Sequence, residues 1–126
     1  MRSVIVALGI IVLCVAGSLL YTNHLEATAN EMLKTNNSIT ASVVNEEYER
    51  AVVKIKSLTS YVREKRVLLD AIGNHQELDD IEEKLSELLA YAYEKDKMHA
   101  LSKCYILDFL IKSLPRNFKL KIENIL

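Results

Sequence analysis

The sequence predicts an all-α protein: one N-terminal transmembrane helix followed by a small antiparallel bundle of about four helices. Three observations carry this. Val4–Tyr21 reads VIVALGIIVLCVAGSLLY, eighteen residues without a charge. Beyond it only Gly73 and Pro115 stand as backbone breakers, in a chain rich in Leu, Glu, Lys and Ala. The apolar residues of that remainder recur at alternating steps of three and four, the period of a helix with one buried face.

At ~1.5 Å per residue Val4–Tyr21 makes a helix of about 27 Å, close to the ~30 Å hydrocarbon thickness of a bilayer. Its only polar side-chain groups are Ser18 and the Tyr21 hydroxyl. A permanent anchor, a cleaved signal peptide and a buried core helix all fit such a stretch. Ala16-Gly17-Ser18 and Ala27-Thr28-Ala29 offer a signal peptidase small residues, but Met-Arg is a thin basic region and the second site lies far beyond signal length. A chain this small could hardly cover so apolar a segment on every side. Cys14 follows Leu13 inside the apolar core, which disfavours a lipoprotein. The anchor is the reading carried forward, with residues 1–24 as anchor and 25–126 as an extracytoplasmic helical domain. Arg2 precedes the span, whereas Glu26 and Glu31 are the first charges after it, so the positive-inside bias places the N-terminus in the cytoplasm.

Leu25, Ala29, Met32, Leu33, Ile39 and Val43 extend the helical period past the membrane, with a break possible at Thr35-Asn36-Asn37-Ser38. Val44-Asn45 is the stronger turn signal, with Asn45 as N-cap and Glu46, Glu47 and Glu49 in the next helix's first turn. That second helix runs over 46–72, on a seam of Ala51, Ile55, Leu58, Val62, Leu69 and Ile72 broken by Lys65, and Gly73-Asn74 ends it. The third, over 77–94, carries Leu78, Ile81, Leu85, Leu88 and Ala92. After a turn at Lys95-Asp96 the fourth, over 97–114, carries Ala100, Cys104, Leu107, Ile111 and Leu114. Pro115 is expected to stop it, and the apolar tail residues Leu120, Ile122, Ile125 and Leu126 to fold back on the bundle. Leu85, Leu88, Leu107 and Ile111 should be buried together.

The domain carries 15 basic and 17 acidic side chains (the chain's 16 less Arg2, against all 17), so no basic surplus points to nucleic acid. Cys14 and Cys104 lie too far apart in kind to pair, and Cys104 reads as a small buried apolar residue. There is no phosphate loop, metal-spaced Cys pair or nucleophile motif. An enzyme and a cofactor are therefore not expected.

From Asn74 to Leu126 the chain resembles a family of small bacterial proteins known as domain of unknown function 4363. The resemblance rests on His75-Gln76-Glu77-Leu78-Asp79-Asp80-Ile81-Glu82, on Ala90-Tyr91 followed by Lys95-Asp96-Lys97, on Ala100-Leu101, and on Lys119-Leu120-Lys121-Ile122-Glu123-Asn124-Ile125-Leu126. It implies a membrane-anchored helical protein, found chiefly in endospore-forming Gram-positive bacteria, with no established activity. No catalytic or binding residues carry over from it.

His75, Asp79 and Glu82 form the best constellation, spaced i, i+4 and i+7 on one helical face, where a His and two carboxylates could hold a metal or act as an acid–base pair. The plainer reading is a capping His and acids favoured by the helix dipole. His24 and His99 read as surface residues. Six acids between Glu77 and Glu87 face Lys84 alone, while Lys112, Arg116, Lys119 and Lys121 crowd the chain end. These are either two solvated faces, or a basic end that meets the acidic helix or anionic headgroups. Tyr48, Tyr61, Tyr91, Tyr93 and Tyr105 form either an aromatic patch or the rim of a core.

The functional expectation is a single-pass cell-membrane protein, held in the lipid bilayer through Val4–Tyr21, whose domain binds another membrane or envelope protein. It would serve as an interaction or structural accessory of a bacterial envelope complex, with the spore envelope as the setting the resemblance suggests. The alternatives are an extracytoplasmic sensory bundle acting through a membrane partner, and a secreted metal-dependent protein using His75. A polar pocket at the seam would favour the sensor; a dry seam with an exposed apolar face would favour the scaffold.

Overall fold

The computed structural model describes residues 1–70 and 75–125, with side chains beyond residue 120 described for Glu123 and Asn124. Four helices follow in order: α1 (Arg2–Val44), α2 (Tyr48–Asp70), α3 (His75–Tyr93) and α4 (Lys97–Ile125). Consecutive helices pack side by side, and α4 closes the ring against α1. This is an up-down-up-down bundle, as short connections dictate.

α1 is one unbroken helix of 43 residues, about 65 Å long at ~1.5 Å per residue. Every residue from Met1 to Gly17 is exposed, and full burial begins at Leu25. Its N-terminal part is long and apolar enough to cross a membrane. The polar run at 35–38 does not break it, and the helix ends at Val44, where the stronger turn signal lies. Thr35 and Thr40 donate back to the Glu31 and Asn36 carbonyls, at 3.1 and 2.9 Å, so their hydroxyls are satisfied within the helix. Asn36 is buried and donates across the bundle to the Cys104 carbonyl, 2.9 Å away.

Asn45 caps the end of α1 and not the start of α2, which begins at Tyr48 and keeps Glu49 alone in its first turn. The reason is the turn that follows. Glu46 adopts φ 58°, its N–H donates to Val43 O, and the Glu47 N–H donates to Ser42 O. Those two bonds satisfy carbonyls at the end of α1 in a Schellman arrangement. The α3–α4 turn repeats it: Lys95 at φ 58° donates to Ala92 O, and Asp96 to Tyr91 O.

The repeat extends through both hairpins. Glu46 and Lys95 are 49 positions apart, and the same offset superposes the buried positions Met32 on Ile81, Ile39 on Leu88, Ala51 on Ala100, Ile55 on Cys104, and Leu58 on Leu107. α1–α2 and α3–α4 thus carry one αα-hairpin pattern of turn and buried positions twice. Two equivalences break the chemistry: Asn36 stands where α3 has Leu85, and half-buried Lys65 where α4 has buried Leu114.

The core is the seam the spacing predicts. Leu85, Leu88, Leu107 and Ile111 are each at most 1% exposed. Cys104 is buried with them, and burial pushes its thiol pKa up. The expected cap at Gly73-Asn74 lies outside the described residues.

Pro115 does not stop α4, which continues through it to Ile125. Its ring removes one bond to the Ile111 carbonyl, a cost of ~3 kcal/mol in an isolated helix. Burial of Leu114 and Phe118 on either side outweighs that loss. The tail therefore does not turn back. It extends α4 along α1, where Phe118 meets Tyr21 with ring centroids 4.9 Å apart.

Candidate functional site

The densest polar cluster joins α2 to α3 at the end of the bundle nearest the apolar part of α1. Arg66 is placed there by the three-four period of α2, one step from the buried Val62 and Leu69. Its guanidinium bonds Asp79, lies 2.8 Å from Glu82 Oε2, and lies 3.4 Å from Asp70 Oδ2 on its own helix. Arg63 reaches Glu82 as well, at 3.7 Å. His75 Nδ1 sits 3.1 Å from Asp70 Oδ1, without the alignment of a hydrogen bond.

Asp79 and Glu82 do face one way, as their spacing requires, but Arg66 stands between them. A fixed cation holds the place where a metal would sit, and His75 turns to Asp70 instead of joining the two acids. Among the described residues no three His, Cys, Asp or Glu side chains gather to hold a metal ion. The hydrogen bond that Arg66 donates to Asp79 is the main cause that raises the Arg66 pKa, so the guanidinium stays charged. Chemically the cluster is a forked clamp between two helices. Sequence reasoning missed Arg66 and Asp70, whose i, i+4 spacing was the one available signal.

At the opposite end the two hairpin turns meet. Lys97 Nζ reaches Glu46 Oε1 at 3.8 Å, and Asp96 accepts from the His99 N–H at the start of α4 while its other oxygen lies 2.7 Å from His99 Nδ1. His99 also stacks on Tyr91, with centroids 5.0 Å apart. His99 therefore has partners that the sequence did not reveal, though it remains on the surface. An open cleft of ≈370 Å³ lies here, lined by Glu46, Tyr48, Arg50 and Lys95 among others.

Among the described residues, Lys112 and Lys119 of the basic chain end pair away from the acidic helix. Lys119 pairs with Glu26 on α1 at 2.6 Å and Lys112 with Asp108 on its own helix at 2.8 Å. From α4 it is Lys103 that reaches the acidic helix, 2.7 Å from Glu87, and that bond lowers the Glu87 pKa. The tyrosines do not form one patch. Tyr48, Tyr61 and Tyr91 rim the core, while Tyr93 and Tyr105 are exposed on different helices.

These features define a class: a four-helix bundle of two similar hairpins, prolonged at its N-terminus by an apolar helix. No curated protein and no solved structure matches the chain. The sequence model described as Domain of unknown function (DUF4363) matches residues 19–125, and the chain belongs to that family.

Proposed function

We propose that this protein is a single-pass membrane-anchored scaffold, N-terminus in the cytoplasm and bundle outside, whose bundle binds another protein of a bacterial envelope membrane. The observation that carries this reading is a stripe on the outer face of α4. Met98, Tyr105 and Phe109 are 73%, 68% and 64% exposed and fall within about 40° of one another around the helix. Large apolar side chains aligned in this way on a soluble surface mark a contact site. Arg116 continues the line and lies over the Phe109 ring.

Two further observations favour a scaffold over a sensor. The seam between the helices is dry, with Leu, Ile and Met side chains at most 1% exposed and few polar groups among them. The unbroken α1 joins the apolar segment rigidly to the bundle, which holds the stripe at a set height and bearing. The polar cluster at Arg66 is neutralised from within, which favours binding over catalysis or metal use.

The test places a photo-crosslinking residue at Tyr105, Phe109 or Ser60 of the full chain in native membranes. Adducts of one defined size should form from positions 105 and 109 but not from 60, which lies on α2. The same pattern from all three positions, or none from any, refutes the stripe as the contact site. Reporter fusions at residues 2 and 126 test the topology and should fall on opposite sides of the membrane.

A further inference from the structure

The register between α1 and α4 places the last turns of α4 at an unexpected height. Asn36 Nδ2 bonds the Cys104 carbonyl, and Tyr21 packs on Phe118. Fifteen residues down α1 therefore match fourteen up α4, so the two helices run antiparallel in step. Ile125 lies seven residues past Phe118, about 10 Å further along. That brings the α4 backbone beside residues 14–15 of α1, within the apolar stretch Val4–Tyr21.

α2 ends at the same level, since the Tyr21 hydroxyl donates to the Leu68 carbonyl at 2.8 Å. Two apolar side chains stand out around that end: Val67, 85% exposed, and Leu120, 53% exposed. Both would face water if the bundle stood clear of a membrane. On α4 Arg116 lies one turn before Leu120 and Lys119 adjoins it, so cations stand at the level of these apolar side chains, where headgroups would lie. The segment from Phe118 mixes Leu120, Ile122 and Ile125 with Lys119, Lys121, Glu123 and Asn124. Such a mixture suits the interfacial layer of a bilayer and not its hydrocarbon centre.

Resting on the reading of Val4–Tyr21 as a membrane span, we propose that the bundle is seated in the bilayer interface, with the end of α4 and the end of α2 as lipid-contacting surfaces beside the anchor. The occupant of this face is lipid because the face is continuous with the span itself. A rigid α1 cannot enter the membrane to Tyr21 without carrying Leu120 and Val67 to the same depth. Seating on three helices also sets the tilt of the bundle, and with it the direction in which the α4 stripe faces.

The chain has no tryptophan, so a single introduced one reports its own surroundings. Leu8→Trp, Val67→Trp, Leu120→Trp and Met98→Trp would each be made in the full chain. Each would be placed in phosphatidylcholine–phosphatidylglycerol vesicles whose acyl chains are brominated near the headgroup, with helicity checked by circular dichroism. Fluorescence at positions 8, 67 and 120 should fall by about half or more relative to unbrominated vesicles, while position 98, at the far end, keeps its intensity. If position 8 is quenched and either 67 or 120 behaves like 98, the seating is overturned and the anchor stands. If position 8 is not quenched, the membrane span itself is refuted and the seating falls with it.

Discussion

Replacing Asn36 by Leu should stabilise the bundle. Asn36 is 1% exposed, and the position equivalent to it in the second hairpin is Leu85, also 1% exposed. Its Nδ2 bond to Cys104 O, at 2.9 Å, contributes ~1 kcal/mol net. Its Oδ1 meets no donor among the described residues, and a buried oxygen in that position costs ~1–3 kcal/mol. Leu removes both terms and adds the burial of an isobutyl group, ~1.5–3 kcal/mol, offset by ~1 kcal/mol or more for imperfect fit. The balance is a gain of about 1–2 kcal/mol. For a bundle of roughly 100 residues this raises the melting temperature by about 4–15 °C. Asn36→Ala gains no such burial and leaves a cavity, so it should melt at or slightly below the parent. Thermal unfolding of the full chain in detergent micelles, followed by far-ultraviolet circular dichroism, measures the order of the three. If Asn36→Leu melts below the parent, the amide contributes more than its one visible bond and the reasoning is wrong.

Leu88→Ala should cost about 2–5 kcal/mol, whereas Val53→Ala, at a site 67% exposed, should stay within about 0.5 kcal/mol; equal melting temperatures for the two would overturn the seam. Phe118→Ala should cost about 3 kcal/mol, because the ring is 5% exposed and packs on Tyr21. A negligible change would mean that α4 frays after Pro115. Lys103 holds the Glu87 carboxylate below its ordinary 4.5, so the unfolded chain takes up that proton first as the solution is acidified. The stability from the pair is intact above 4.5 and drains as pH falls through the lowered value, so Glu87→Gln should flatten the melting curve against pH in that range. An unchanged slope would show the pair to be idle.

The sequence by itself determined the helices and the buried seam. A three-four rhythm of Leu, Ile and Ala is a local pattern, and burying it is the strongest free-energy gain open to each helix. The apolar stretch Val4–Tyr21 was equally legible, because its composition needs no partner to be recognised. Turn placement was read within a few residues, but the roles of Asn45 and Glu46 were not, since a left-handed residue without Gly leaves no clear mark in the sequence. Three matters belonged to the tertiary structure alone. Pro115 looked like a stop and was overridden, because packing of Leu114 and Phe118 acts over a distance that propensity does not see. His75, Asp79 and Glu82 looked like a triad, but Arg66 comes from another helix, and only the crossing of α2 with α3 brings its charge between the acids. The relation between the two hairpins was hidden as well, because equivalent positions share burial and not residue type. Asn36 and Leu85 occupy the same place in the fold with opposite chemistry, and periodicity records where a side chain points, not what it will meet there.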